Sequence, residues 1–130
     1  MYVLDTNTII YLIKGRRQTA ERTIAVPPSE VAIPTIVLYE LYVGTAKSQN
    51  PVRRTRFIQS LVARSVLLSF SQSAASHAAD IRVQLEGKGQ IIGPIDILIA
   101  GIAIAHEAML ITHNVREFAR VDGLAVEDWF

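Results

Sequence analysis

The chain contains no cysteine, which removes disulfides, thiolate metal sites and thiol nucleophiles together. Any chemistry it performs falls to oxygen and imidazole groups. Imidazole is scarce as well, and His77, His106 and His113 include no pair at zinc-ligand spacing. An excess of one charge is also missing. Thirteen Lys and Arg stand against twelve Asp and Glu, a net charge of +1, so affinity for a polyanion has to come from local clusters. The longest apolar run, Ile95 to Ala105, is too short to cross a bilayer and carries Asp96, and no basic leader precedes Tyr2-Val3-Leu4. The expectation is a soluble, cytoplasmic protein with no membrane segment. Internal repeats, low-complexity tracts and long like-charge blocks are absent too.

What remains is an apolar chain of 130 residues, enough for one domain over residues 1–130 with a sizeable core. Half of the residues are hydrophobic and the mean hydropathy is +0.29. That is high for a small soluble protein and implies apolar surface covered by a partner or by a second copy, hence a homodimer, a complex, or both.

Periodicity and punctuation divide the chain into alternating strands and helices. A strand at Met1 to Leu4 leads to a helix from about Asn7 to Ile13, with Thr6 or Asn7 as cap and Gly15 as stop. A short helix follows at about Thr19 to Ile24, then a turn at Pro27-Pro28-Ser29 and a strand at Val31 to Ile33. Pro34-Thr35 starts a helix to about Lys47, Asn50-Pro51 breaks it, and another helix spans Val52 to Ala63. The pattern continues with a strand at Val66 to Ser69, a helix from about Ser73 to Glu86, and an apolar helix from Gly93-Pro94 to His106. It ends with a strand at Met109 to Ile111, a helical turn at Asn114 to Phe118 and a strand at Leu124 to Val126. This alternation predicts an α/β fold, a three-layer sandwich with a mostly parallel central sheet flanked by helices. Such folds carry function at the carboxyl ends of their strands.

Three acids interrupt otherwise apolar stretches. Asp5 ends Tyr2-Val3-Leu4, Glu40 lies within Ile36 to Val43, and Asp96 lies within Ile95 to Ala100. The patterning turns these carboxylates toward protein, where an unpaired charge costs several kcal/mol, and no Lys or Arg is locally placed to offset it. A divalent metal held by convergent carboxylates answers that need, and magnesium or manganese prefers such hard oxygens. Asp5 before one helix and Asp96 in the first turn of another also meet the positive ends of helix dipoles. Basic residues cluster twice, at Lys14, Arg16 and Arg17, and at Arg53, Arg56 and Arg64. The second set shares one helix side, with Phe57, Ile58, Leu61 and Val62 opposite. A solvated face is the plain reading; beside a metal site these six residues become RNA-contact candidates.

Asp5-Thr6-Asn7 after an apolar strand, Glu40-Leu41-Tyr42-Val43-Gly44 on a helix, and Gly93-Pro94-Ile95-Asp96 opening another resemble the three acidic motifs of the PIN domain, in order and spacing. Thr112-His113-Asn114 with Phe118 resembles its fourth motif and Gly123 to Trp129 its usual ending, so the likeness to VapC-type toxins of toxin-antitoxin pairs covers essentially the whole chain. The resemblance implies a metal-dependent endoribonuclease with Asp5, Glu40 and Asp96 as catalytic metal ligands for Mg2+ or Mn2+. Products would carry a 5′-phosphate and a 3′-hydroxyl, the substrate would be transfer RNA or another RNA, and a cognate VapB-like antitoxin would inhibit. Thr6, Asn7, Thr112 and Asn114 would orient carboxylates or water. Asn114 stands where many relatives carry Asp, and Ile95 where a polar residue is common.

Taken singly, each acid has a plainer role: Asp5 as a helix cap, Glu40 as a surface residue, Asp96 as a first-turn acid. His113 reads as a hydrogen-bonded structural residue, His77 and Asp80 as a surface pair, and Tyr39 and Tyr42 as core or dimer contacts. Two other functions compete. A module of the same fold with weakened metal affinity would bind RNA or an antitoxin without cutting. Val3 to Thr8 also superficially resembles the nucleophile loop of haloacid-dehalogenase-type phosphatases, with Asp5 as nucleophile, although Asn7 replaces the second aspartate of that loop.

Overall fold

The structure, a computed structural model, describes all 130 residues. Strands β1 (Tyr2–Leu4), β2 (Val31–Pro34), β3 (Val66–Leu68), β4 (Met109–Ile111) and β5 (Ala125–Glu127) form one sheet in the order β3-β2-β1-β4-β5, with every pairing parallel. Helices α1 (Thr6–Ile13), α2 (Arg17–Ile24), α3 (Thr35–Ala46), α4 (Pro51–Arg64), α5 (Gln72–Lys88), α6 (Pro94–Ala105) and α7 (Val115–Phe118) flank it, and a single 3-10 turn covers Pro28–Glu30. The α/β sandwich expected from the alternation is therefore present.

Parallel strands are covered by helices on both faces, which explains why they read as continuous apolar runs. Val3, Leu4, Ala32, Ile33, Leu110 and Ile111 are all inaccessible to solvent. Helix α6 is apolar around nearly its whole circumference because it is buried on several sides, at Ile97, Ile99, Ala100, Ile102 and Ala103. Gly101 brings α6 against α5, where a Cβ would lie 2.7 Å from the Ala74 carbonyl oxygen and 2.8 Å from the Ala78 Cβ. No helix is long and apolar enough to cross a membrane.

Some local expectations need correction. The cap of α1 is Asp5, whose side chain accepts from the Thr6 N–H, in line with the plainer reading of that acid and not with Thr6 or Asn7. Helix α2 begins at Arg17, two residues before the expected Thr19, and α5 runs through Gly87 to Lys88. It stops only at Gly89, which takes the left-handed conformation (φ 63°) that glycine adopts without a Cβ penalty. Tyr39 and Tyr42 are not in the core; they are 59% and 55% exposed on α3. With Thr35, Leu38, Val43 and Ala46 they line an open apolar face. Phe57 is exposed rather than aligned with the buried Ile58 and Leu61, and His77 and Asp80 form no ion pair.

Candidate active site

The sheet order reverses direction between β1 and β4. From β1 the chain moves outward through β2 to β3, then returns to pair β4 on the other side of β1. Loops leaving the carboxyl ends of the two strands diverge there and open a crevice. Asp5 leaves β1 into that crevice, and Thr112, His113 and Asn114 leave β4 beside it. Backbone bonds continue the ladder past the strands, with Asp5 N–H donating to the Ile111 carbonyl at 3.0 Å and Thr112 N–H to that of Glu127 at 3.0 Å. The Thr8 hydroxyl also donates to the Ile111 carbonyl, at 2.9 Å, which locks the first turn of α1 to the end of β4.

Asp5 is the buried acid, only 4% exposed. Its Oδ1 accepts from the Thr6 N–H at 2.7 Å and its Oδ2 from the Thr112 hydroxyl at 2.8 Å. The Thr112 oxygen in turn accepts from the Asn114 N–H at 3.0 Å. Glu40, carried by α3 from the carboxyl end of β2, accepts from the Thr6 hydroxyl at 2.5 Å. One residue thus grips two acids, through its N–H and through its hydroxyl. Asp96 sits in the first turn of α6, beside the space left by the missing side chain of Gly93, where a Cβ would lie 3.2 Å from Asp96 Oδ2. Glu40 and Asp96 are half-buried, so of the three carboxylates only Asp5 is enclosed by protein as its patterning predicts.

The electrostatics show that these acids share one place. Burial pushes the Asp5 carboxyl up from its ordinary value, opposed by the hydrogen bonds from Thr112 and Thr6, and the Glu40 charge pushes it up further. The Asp96 carboxyl is pushed up to about 6, by burial first and then by the charges of Asp5, Glu40 and Glu117. None of these four acids forms an ion pair with a lysine or arginine.

Glu117 is the acid that sequence reasoning missed. It lies on α7, is half-buried, and its Oε2 accepts from the Asn114 side-chain amide at 3.1 Å. A signal was available in its position three residues after Asn114, one helical turn on and hence on the same side. Glu117 adds the negative charge that Asn114 lacks.

Hard carboxylate oxygens gathered without a counter-cation suit a divalent ion. The acids converge without closing into a cage, since no three acidic or imidazole side chains enclose a common point. Magnesium or manganese would bind such a set through one or two carboxylates, with waters and substrate phosphate filling the remaining positions.

The other expected residues divide. Thr6, Thr112 and Asn114 hold the acidic centre, whereas Asn7 is exposed and its side chain bonds to none of the acids. His113 has a structural partner, its Nδ1 lying 3.0 Å from Asp128 Oδ2. Lys14 and Arg16 are exposed just beyond α1, and Arg17 pairs with Glu21 at 2.7 Å. Arg53 and Arg56 are exposed on α4. Arg64 ends that helix at the opposite, amino edge of the sheet, where it lines a cavity with Val31, the first residue of β2.

Comparison with known proteins identifies the family and agrees with the fold. Residues 2–124 match the PIN domain family. The chain is 37% identical over 128 residues to the tRNA(fMet)-specific endonuclease VapC of Shigella flexneri, spanning 98% of this chain and 97% of that one. It is 34% identical over 131 residues to ribonuclease VapC2 of Rickettsia felis, spanning 99% and 98%. Among solved structures it resembles, nearly end to end, a chain of VapBC2 from Rickettsia felis bound to a promoter DNA fragment (TM-score 0.92, 34% identity, 99% and 98% covered). DNA-bound VapBC from Salmonella typhimurium is similar to the same degree (TM-score 0.92, 36% identity, 99% and 98% covered).

Proposed function

The chain belongs to the PIN domain family and, within it, to the VapC-type ribonuclease toxins, and from that membership we propose a magnesium- or manganese-dependent endoribonuclease that cuts transfer RNA and is restrained by a cognate VapB-like antitoxin. The observation that carries this reading is the gathering of Asp5, Glu40, Asp96 and Glu117 at the β1/β4 crevice with no cation paired to them. The relative named for tRNA(fMet) supports transfer RNA as the substrate.

Asp5, Glu40 and Asp96 would hold the metal, with Thr112 and Thr6 keeping Asp5 and Glu40 in place. Bound there, the ion would supply Lewis-acid polarisation of the phosphate and neutralise its charge. The protein supplies placement and a proton acceptor. Water attacks the phosphorus in line, the bond to the 3′-oxygen breaks, and the products carry a 5′-phosphate and a 3′-hydroxyl. One of Asp5, Glu40 and Asp96 would also take the water's proton.

The open apolar face of α3 at Tyr39, Tyr42 and Val43 supports a homodimer, whose second copy would cover it. The complexes of VapBC in the similar structures support the antitoxin partner. A second reading, a binding module that grips RNA or antitoxin without cutting, draws on the absence of a preformed ligand cage.

The test incubates purified, antitoxin-free protein with total RNA and magnesium or manganese, beside Asp96→Asn and a chelator control. Discrete cuts by the wild type, lost in the variant and on chelation, are the expected result. RNA retained but uncut by well-folded wild type with either metal would favour the binding module.

A further inference from the structure

Phe130 is the centre of a side-chain stack at the rim of the acidic crevice. The Arg16 guanidinium lies over its ring, 3.2 Å from the centroid, and the His113 ring stacks on it at 3.9 Å and 28°. Tyr11 closes the side, edge-on to Phe130 at 4.8 Å and to His113 at 5.7 Å. Asp128 braces the assembly twice: its Oδ2 lies 3.0 Å from His113 Nδ1, and its Oδ1 accepts from the Phe130 N–H at 2.9 Å. His113 stands between Thr112 and Asn114, the residues that hold Asp5 and Glu117, so the stack starts where the acidic centre ends.

Arg16 is exposed and, unlike Arg17 and Arg22, forms no ion pair. Its guanidinium carbon lies directly over an aromatic ring, and its side-chain donors make no hydrogen bond or ion pair within the chain. An arginine fixed in this way loses little freedom when it captures a phosphate, and a guanidinium plane is a surface on which a nucleobase can stack. The acidic carboxylates themselves repel a polyanion, and a cation beside them favours the approach of RNA. We propose that the Arg16–Phe130–His113 stack is an RNA-holding platform on which Arg16 takes an unpaired base and its phosphate next to the cleaved bond, with Phe130 as the residue that positions Arg16. The platform rests on the ribonuclease reading above.

Binding of transfer RNA and of a short single-stranded RNA containing 2-aminopurine is measured in an Asp96→Asn background, and KM and kcat in the active protein. Phe130→Leu keeps the apolar packing but removes the ring face, Phe130→Trp keeps a ring, Arg16→Lys keeps the charge without the plane, and Arg82→Ala on α5 controls for loss of one surface cation paired to Glu86. Phe130→Leu and Arg16→Lys are expected to weaken RNA binding about tenfold, expressed in KM rather than kcat, and to relieve 2-aminopurine quenching. Phe130→Trp restores both, and Arg82→Ala changes neither. RNA binding and KM unchanged in a folded Phe130→Leu protein would overturn the platform while leaving the nuclease intact, as would a fall in melting temperature without any change in RNA affinity. Wild-type protein that neither binds nor cuts RNA would remove the ribonuclease reading itself.

Discussion

The Thr112 hydroxyl donates to Asp5 Oδ2 at 2.8 Å while accepting from the Asn114 N–H at 3.0 Å, so one buried oxygen ties the loop after β4 to the acid that ends β1. Thr112 is wholly inaccessible to solvent and Asp5 nearly so, and water cannot replace that bond. Thr112→Val is expected to destabilise the fold by about 1.5–3 kcal/mol, the usual worth of a hydrogen bond to a charged group. Cleavage should fall with it. Thr112→Ser, which keeps the hydroxyl, should recover most of both in denaturant melts and single-turnover assays.

Glu40 depends on Thr6 in the same manner. The 2.5 Å bond from the Thr6 hydroxyl orients a carboxylate that is half-exposed and otherwise free to rotate. Thr6→Val is expected to lower metal affinity or cleavage roughly 10- to 100-fold with little change in melting temperature, following the usual effect of losing an outer partner of a metal ligand. Titration of manganese by calorimetry checks the affinity directly.

Asp96 sets a pH dependence whose sign follows from its raised carboxyl. A carboxylate pushed from 3.8 to about 6 binds its proton more tightly in the folded chain than in the unfolded one. The stability it contributes is complete below about pH 3.8 and is lost as the pH rises through about 6. In EDTA at pH 7.5, Asp96→Asn should therefore melt at a higher temperature than the wild type, and the difference should close as the pH is lowered toward 4. Added magnesium should raise the wild-type melting temperature more than that of the variant. A wild type more stable than Asp96→Asn in EDTA at pH 7.5 would contradict the like-charge account.

Two helical glycines should respond in opposite directions. At Gly101 a Cβ would lie 2.7 Å from the Ala74 carbonyl oxygen and 3.0 Å from the Ala78 nitrogen, backbone atoms that cannot swing aside. Gly101→Ala is expected to cost about 1–3 kcal/mol by forcing α5 and α6 apart. Gly44, within α3, has nothing within 4 Å of its would-be Cβ, so Gly44→Ala should stabilise by roughly 0.5–1 kcal/mol through helix propensity alone. Parallel urea titrations separate the two.

The sequence alone determined what acts over a few residues. Tyr2-Val3-Leu4 and Met109-Leu110-Ile111 read as buried strands because such short apolar runs, bounded by polar residues, are too brief for a helix. Asp5, Glu40 and Asp96 were legible for the complementary reason, since a charge inside an apolar run calls for a partner that the run does not supply. The cap of α1 reads both as Asp5 and as Thr6 or Asn7, since all three are good caps, and only backbone geometry selects Asp5 among them.

Tertiary structure decided what depends on pairing across the chain. The order β3-β2-β1-β4-β5 puts Thr112 on Asp5 across 107 positions and Glu40 on Thr6 across 34, distances over which local preference carries no information. The same pairing made Glu117 a member of the acidic centre, although an acid in a polar segment gives no apolar contrast by which to notice it. It also separated the basic residues, leaving Arg64 at the far edge of the sheet and laying Arg16 on Phe130 beside the crevice. An acid inside an apolar run stands out in sequence, although the fold encloses Asp5 and leaves Glu40 and Asp96 half-buried; where a cation ends up depends on which strands meet, because long basic side chains are solvated wherever they fall until the sheet places something beside them.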